Sequence, residues 1–141
     1  MYLFDTDIVS LVKHGHRNAS ARVAATPPEQ RFISVVTVEE VLRGCLADIN
    51  ASTRNISRLI AAHDRLQDMQ AYLSEWKVLP FDHVAAHQCT DLLKRKVRVH
   101  THDLRIAAIA LSRGFTVVTA NMRHFEKVPG LDVEDWTRTM H

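Results

Sequence analysis

The stretch YLFDTDIVSLV, residues 2–12, places a short apolar run directly before an acidic segment and a helix-spaced set of apolar residues. Tyr2–Phe4 predicts a buried strand, because the run is apolar without polar alternation. From Ile8 to Val12 the apolar residues recur at helical spacing, so we expect the strand to pass into a helix at Asp5–Asp7. A strand that leads directly into a helix is the repeating unit of α/β folds.

The same alternation of apolar strand and helix continues along the chain. Phe32–Val36 and Phe115–Thr119 predict two further buried strands, since both are continuous and rich in β-branched residues. Lys77–Pro80 and Leu131–Val133 are candidates for shorter strands. Unbroken apolar strands alternating with helices are typical of a parallel sheet covered on both faces. We therefore predict one α/β domain over residues 1–141, with a parallel sheet of about four to five strands flanked by helices on both faces.

Capping residues predict where several of the helices begin and end. Thr37 and Glu40 form the hydroxyl-x-x-Glu pattern of a capping box, which opens a helix running to about Leu46. Thr101 is expected to cap a later helix, which Gly114 ends in the position where a left-handed residue is favoured. The other helical stretches are predicted over residues 18–26, residues 52–75 and the segment from its cap Asp82 to Leu93.

Composition excludes several classes of protein. The chain has 141 residues, 46% of them hydrophobic and 24% charged, which is typical of a folded globular protein and not of a disordered one. No apolar stretch approaches the roughly 18 residues of a membrane helix, and the N-terminus lacks the basic region of a signal peptide. Cys45 and Cys89 lie in apolar helical contexts that predict reduced thiols, so we expect a soluble cytoplasmic protein. The 18 Lys and Arg barely exceed the 16 Asp and Glu, and this net charge of +2 neither favours nor excludes a nucleic-acid partner.

Three carboxylates and one amide are expected to meet at one edge of the sheet. Asp5 ends the first strand, and Asn121 follows the Phe115–Thr119 strand by two residues. Glu40 and Asp103 lie in the first turns of two predicted helices. In parallel sheets ligands bind outside the carboxyl ends of the strands, and oxygen ligands of this kind suit Mg²⁺ or Mn²⁺. A cation held there can lower the pKa of a bound water and shield a phosphodiester from attacking charge.

Each of these residues also has a purely structural interpretation. Glu40 is the partner of Thr37 in the capping box. Asp103 is favoured by the helix dipole, and Asn121 suits a turn. Asp5 is the hardest to explain in this way, because a carboxyl group at the end of an apolar strand must be paired or charged for a reason. The functional interpretation therefore depends on the joint placement of all four residues.

Four stretches of the chain carry the most specific pattern in the sequence. They read FDTDIVS, SVVTVEEVLRG, HDLRIAAIALSRG and TVVTANMRHFEKVPGLDVEDW. In this order they resemble the successive motifs of the PIN-domain ribonucleases and, more narrowly, of the VapC toxins of bacterial toxin–antitoxin pairs. The resemblance implies a Mg²⁺-dependent endoribonuclease that hydrolyses RNA phosphodiester bonds with a metal-activated water, and Mn²⁺ is expected to substitute. It also implies a cognate antitoxin and a homodimer, while the lack of a long apolar stretch predicts no membrane association. The last stretch looks like that of toxins acting on structured RNA such as tRNA.

The resemblance also implies a role for each polar residue at the predicted sheet edge. Asp5, Glu40 and Asp103 match the acids that hold the metal, and with Asn121 they form the implied catalytic set. Asn121 stands where many PIN domains carry a fourth Asp, so the site has one negative charge fewer. The residues that match supporting positions around the metal site are Thr6, Asp7 and Thr119.

Cations cluster immediately before Asp103, where related sequences often carry glycines. Residues 94–102 read KRKVRVHTH, and the functional interpretation is that these cations bind the RNA backbone. The alternative is a solvated helix end whose Lys and Arg complement the helix dipole. The candidate RNA-binding residues are Lys94, Arg95, Lys96, Arg98, Arg105 and Arg123, with His124 as a further candidate for contact with phosphate.

The sequence leaves two other functions open. Asn121 favours a PIN-like module with a weakened site that only binds RNA or protein. Asp5-Thr6-Asp7 also resembles the start of a haloacid-dehalogenase-type phosphatase with an Asp nucleophile, although the downstream Lys and acidic pair of that family are missing. A covalent phospho-aspartate would identify the phosphatase, and RNA binding without cleavage would identify the binding module.

Overall fold

Every strand of the computed structural model, which describes residues 1–139, belongs to one parallel sheet. The strands are β1 (Tyr2–Phe4), β2 (Arg31–Ser34), β3 (Lys77–Leu79), β4 (Thr116–Val118) and β5 (Val133–Glu134). They lie in the order β3-β2-β1-β4-β5, and each neighbouring pair is parallel. The strand order reverses at β1, so the carboxyl ends of β1 and β4 flank the crevice where open α/β sheets bind ligands.

Six α-helices within the described residues surround this sheet. They are α1 (Thr6–Lys13), α2 (Arg17–Ala25), α3 (Val35–Ala51), α4 (Ile56–Leu73), α5 (His83–Lys94) and α6 (Thr101–Arg113). Short 3-10 turns at Pro28–Gln30 and Met122–His124 precede β2 and follow β4. None of the helices in residues 1–139 is long and apolar enough to cross a membrane.

Successive residues of a strand point to opposite faces of the sheet, and helices cover both faces. Leu3 and Val117 belong to a hydrophobic core that includes buried residues of α5 and α6. Phe4 and Val118 belong to a second core, built with buried residues of α1, α2 and α4. All four of these strand side chains are fully buried. The predicted parallel sheet with helices on both faces is thereby confirmed.

The second strand ends earlier, and the helix after it begins earlier, than the sequence predicts. β2 ends at Ser34, and α3 begins at Val35, inside the predicted strand. The Ser34 hydroxyl accepts a 3.1 Å hydrogen bond from the Thr37 backbone N–H, so Ser34 caps the helix in place of Thr37. The predicted capping box is therefore wrong, because a bonded cap outweighs the β-propensity of the two valines that follow. The helix also continues past Leu46 to Ala51.

Among the other predicted capping residues, Asp82 and Gly114 are confirmed and Thr101 is wrong. The helix predicted over residues 52–75 is shorter, Ile56–Leu73. The Asp82 side chain caps α5 by accepting a backbone N–H hydrogen bond of 3.0 Å. Gly114 ends α6 with φ 67°, a left-handed conformation that glycine adopts without strain. Thr101 is the first residue of α6 and not its cap. The first turn starts one residue earlier than predicted, because the Leu104 N–H donates to the His100 carbonyl oxygen at 2.8 Å.

Aromatic side chains close the second core beneath the first strand. Trp136 is 2% exposed, and its ring centroid lies 4.8 Å from that of Tyr2 and 5.2 Å from that of Phe4, with both pairs edge to face. Trp76 packs against Phe4 at 5.4 Å between ring centroids. Since Phe4 directly precedes Asp5, this packing holds the backbone that carries the first predicted acid.

Candidate active site

The acids predicted from the sequence line one cavity at the carboxyl ends of β1 and β4. The cavity has a volume of about 460 Å³. Its lining residues are Asp5, Thr6, Asp7, Ser10, Glu40, His100, Asp103, Asn121 and His124. We call it the acidic cavity, because four of these side chains are carboxylates. The fold thus brings the predicted catalytic set together, and its catalytic role stays a prediction.

Asp5 is the most deeply buried acid of the cavity, with 6% exposure. Its Oδ1 accepts a hydrogen bond from the Thr6 N–H at 2.8 Å, and its Oδ2 accepts one from the Thr119 hydroxyl at 2.9 Å. Burial, and after it the neighbouring Asp7 carboxylate, raise the pKa of Asp5 to about 8. A nearby cation favours the charged form of a carboxyl group. Asp5 is therefore placed to ionise most readily when a cation lies beside it.

Thr119 links Asp5 to a second carboxylate, that of Asp7. The Thr119 hydroxyl lies 3.3 Å from Asp7 Oδ2 and accepts a 3.0 Å hydrogen bond from the Asn121 N–H. The Ala120 N–H also donates to Asp7 Oδ2, at 3.0 Å. Burial raises the pKa of Asp7 above its ordinary value. These contacts connect the end of β4 to the start of α1. Because α1 directly follows β1, Asp7 and Thr119 hold the ends of β1 and β4 together.

Glu40 reaches the cavity from the second turn of α3 through contacts that the capping-box interpretation did not predict. The Thr6 hydroxyl donates to Glu40 Oε1 at 2.8 Å and lies 3.0 Å from the Thr37 hydroxyl. On the other side, His102 Nδ1 lies 3.6 Å from Glu40 Oε2. Thr6 directly follows Asp5, so its hydroxyl couples the position of Glu40 to the end of the first strand.

Asp103 and Asn121 are joined through the His124 ring. Asp103 Oδ2 lies 3.1 Å from His124 Nδ1, and Asn121 Nδ2 lies 2.9 Å from His124 Nε2. When the Asn121 amide donates to Nε2, the neutral ring carries its proton on Nδ1 and donates it to Asp103. Burial raises the pKa of Asp103, while His124 lowers it and Glu40 raises it further. Asn121 thus orients His124, a contact that a carboxylate at the same position could not donate.

The donor set suits a divalent cation that keeps water ligands. Mg²⁺ is ordinarily held by one or two carboxylates, with water and substrate phosphate completing its shell. No group of three or more His, Cys, Asp or Glu side chains within residues 1–139 lies close enough together to hold a metal ion by itself. The Asp103 charge contributes to the raised pKa of Asp5, and a cation between the two would relieve that repulsion. The residues fit a hydrated Mg²⁺ held by a carboxylate pair, whereas Glu40, turned toward Thr6, does not complete a preformed set of three.

A second cavity, of about 300 Å³, adjoins the acidic cavity and shares part of its wall. The shared residues are His100, Asp103 and His124. Its remaining lining residues are Arg98, Val99, Arg123 and Lys127, and we call it the cationic cavity. Sequence reasoning missed Lys127, although it follows Arg123 by four residues in the last of the quoted motifs. His100 and His102 lie in the cationic segment, residues 94–102, but were not predicted to belong to the site, although they lie close to Asp103 in the sequence.

Only part of the predicted RNA-binding set reaches these cavities. Arg98 and Arg123 line the cationic cavity. The predicted cations that line neither cavity are Lys94, Arg95, Lys96 and Arg105. Helix α5 ends at Lys94, and Lys96 adopts a φ of 58°, so the chain turns before it reaches Arg98. The positions of these four cations give no support to the prediction that they bind RNA at the site.

Comparison with known proteins identifies the family and matches the fold. The family model of the PIN domain matches residues 2–131. The tRNA(fMet)-specific endonuclease VapC of Salmonella typhimurium is 32% identical over 108 residues, which cover 74% of this chain and 74% of the relative. The crystal structure of DNA-bound VapBC from Salmonella typhimurium superposes with a TM-score of 0.78 at 27% identity, covering 96% of this chain and 97% of that one. A toxin–antitoxin complex from Klebsiella pneumoniae superposes with a TM-score of 0.67 at 24% identity, covering 93% and 95%.

Proposed function

Since the chain belongs to the PIN-domain family, among the VapC-type toxin ribonucleases, we propose that it is a Mg²⁺-dependent endoribonuclease that acts as the toxin of a toxin–antitoxin pair. The observation that carries the proposal is the meeting of Asp5, Glu40 and Asp103 in one cavity at the strand-order reversal. These acids come from three separate segments of the chain, and ligands bind at this point in open α/β sheets.

The side chains around the cavity have different roles in the proposed reaction. Asp5 and Asp103 would hold the cation, with Glu40 beside them. Mg²⁺, when bound, would supply an activated water and neutralise charge on the scissile phosphate. The Thr119 hydroxyl fixes Asp5 at 2.9 Å, and His124 fixes Asp103 at 3.1 Å. The carboxylates would therefore meet a bound substrate in set orientations, which is the condition for catalysis by positioning.

The same contacts argue against a phosphatase with an Asp nucleophile. Asp5 is 6% exposed, and both of its carboxylate oxygens accept hydrogen bonds from the chain. A nucleophilic carboxylate must be charged and open to the substrate. Because the group is buried and both oxygens are engaged, Asp5 is poorly placed to attack a substrate phosphorus.

The proposed substrate is a structured RNA such as tRNA, and the proposed partners are a cognate antitoxin and a second copy of this chain. The relative named as a tRNA(fMet)-specific endonuclease supports the substrate class. The similarity to the VapBC structure and to a toxin–antitoxin complex supports the antitoxin. An antitoxin that silences the proposed toxin would be expected to cover the acidic cavity.

Cleavage of purified tRNA tests the proposal. The parent protein should cut it in Mg²⁺, lose activity in EDTA and regain it when Mn²⁺ is added. Asp5→Asn should bind the RNA without cutting it. Asp64→Asn, which changes an exposed acid that lines neither cavity, should cut as the parent does. Cleavage that survives full chelation, or an active Asp5→Asn variant, would contradict the metal mechanism, and binding without cleavage by the parent would identify a binding module.

A further inference from the structure

Three cations line the cationic cavity, and none has an acidic partner among the described residues. Within residues 1–139, Arg98, Arg123 and Lys127 take part in no ion pair within 4.0 Å. The arginines that do pair with acids are Arg22, Arg43, Arg65, Arg95, Arg113 and Arg138. The one acid in the cavity wall, Asp103, is engaged by His124. Clustered like charges repel, so a concave surface of this kind is complementary to an anion.

Buried neighbours fix the backbone that carries two of these cations. Arg123 and Lys127 are exposed, whereas Phe125 is fully buried and Val128 is 4% exposed. The Phe125 and Val128 side chains pack into the same core as α5 and α6. The Val128 N–H donates to the Phe125 carbonyl oxygen at 3.0 Å, which closes the turn. The loop is therefore anchored from beneath, and the backbone that carries Arg123 and Lys127 is in place before any anion binds.

The shared wall decides which anion fits. His100, Asp103 and His124 separate the two cavities by a single layer of side chains. A phosphodiester that reacts over Asp103 continues along its own strand, and the next phosphate must lie close beside the first. We propose that the cationic cavity binds the phosphate adjacent to the scissile one, so that the protein grips two successive phosphates of the RNA strand. This inference rests on the proposed ribonuclease function.

Binding measured in EDTA tests the inference separately from cleavage. A short fluorescein-labelled single-stranded RNA is titrated with the parent and with Arg98→Gln/Arg123→Gln/Lys127→Gln over a series of salt concentrations. For single strands each lost phosphate contact lowers the slope of log affinity against log salt by about 0.7. We expect the slope of the triple variant to fall by about 0.7 or more, and its affinity at low salt to fall at least tenfold.

A second triple variant is the matched control. Lys94→Gln/Arg95→Gln/Lys96→Gln removes the same charge from a nearby segment that lines neither cavity. Its slope and affinity should stay near those of the parent. Equal losses in the two triple variants would show general electrostatic attraction and overturn the inference. Both sets of side chains are exposed, so both variants should keep the thermal unfolding of the parent.

Cleavage of RNA in which one phosphate is made neutral locates the phosphate that contacts the cationic cavity. A neutral methylphosphonate placed one linkage from the scissile bond should slow cleavage by the parent about tenfold, because a charge-assisted contact is lost. The same methylphosphonate should not slow cleavage further in the triple variant of Arg98, Arg123 and Lys127. If the variant binds and cleaves RNA as the parent does but loses affinity for an acidic antitoxin segment, the cavity is a protein-docking site and the inference is wrong. A parent without cleavage would contradict the proposed function, while the binding result would still decide the role of the cavity.

Discussion

Replacing Asp5 with asparagine should stabilise the protein in EDTA, although the change removes an acid at the centre of the proposed site. Burial and the neighbouring Asp7 raise the pKa of Asp5 from 3.8 to about 8 in the folded chain. The unfolded chain therefore releases this proton near pH 4 and the folded chain near pH 8. Between these values the unfolded state binds fewer protons, so the free energy of unfolding falls as the pH rises.

The size of the expected stabilisation follows from the shift in the pKa of Asp5. Each pKa unit corresponds to about 1.4 kcal/mol, so the upper limit at pH 7 is about 4 kcal/mol. Asp7 bears part of the same repulsion, and we expect Asp5→Asn to raise the free energy of unfolding by about 2–4 kcal/mol at pH 7 and by little near pH 4. For a chain of this length the midpoint of thermal unfolding should rise by roughly 2–4 °C for each kcal/mol.

Asparagine can make the same hydrogen bonds as Asp5. The gain in the free energy of unfolding should therefore come from removing the ionisable group. Its Oδ1 can accept the Thr6 N–H, as the aspartate Oδ1 does at 2.8 Å. Its Nδ2 can donate to the Thr119 hydroxyl, which can then turn its own proton toward Asp7 Oδ2 at 3.3 Å. Asp5 is also the N-cap of α1, and asparagine caps helices as well as aspartate does, so the start of α1 is preserved.

Urea unfolding in EDTA across a pH series is the assay. The parent curve should fall between about pH 5 and pH 8 relative to that of Asp5→Asn, with Asp64→Asn following the parent. Mg²⁺ should then stabilise the parent and leave Asp5→Asn unchanged, because a ligand stabilises the state that binds it. Parallel pH curves for the parent and Asp5→Asn, or a less stable Asp5→Asn, would refute the claim that Asp5 carries a burial penalty relieved by a cation.

Three further substitutions test the contacts around the site. Thr6→Val removes the 2.8 Å hydrogen bond to Glu40 and should slow RNA cleavage about tenfold while Thr6→Ser restores it, as measured by initial rates. Ser34→Ala removes the cap of α3 and should lower the free energy of unfolding by about 1 kcal/mol in urea. Trp136→Ala empties a site that is 2% exposed and should lower the same quantity by about 3–5 kcal/mol. An unchanged rate in the first case, or unchanged urea midpoints in the others, would contradict these contacts.

The sheet and its functional edge could be predicted because unbroken apolar runs have few alternative structures. Tyr2–Phe4 is a strand as predicted, and the strand predicted over Phe115–Thr119 spans Thr116–Val118. Polar residues that follow parallel strands must meet at the same edge. The strand–helix boundary at Ser34 could not be predicted in this way. Two valines favour a strand locally, and only the bonded Ser34 hydroxyl shows that the helix has begun.

The partners of the acids could not be predicted, because they depend on which side chains the fold brings together. His124 lies 3.1 Å from Asp103 across a separation of 21 residues, and Thr6 lies 2.8 Å from Glu40 across 34. Which cations reach the site could not be predicted either. Lys96 and Arg98 are both exposed and lie close together in the sequence, yet only Arg98, after the turn at Lys96, lines the cavity wall.

The two adjoining cavities imply that RNA binding and RNA cleavage depend on different charges. An RNA strand is a row of negative charges, so the acidic cavity would repel it until a cation was bound there. The proposed phosphate contacts Arg98, Arg123 and Lys127 would attract it in either case. Removing the cation should therefore abolish cleavage while leaving much of the affinity. A protein that held RNA chiefly through its metal would lose both together. The net charge of +2 conceals this difference, because acids and cations cancel in the sum and are separated in space by one layer of side chains.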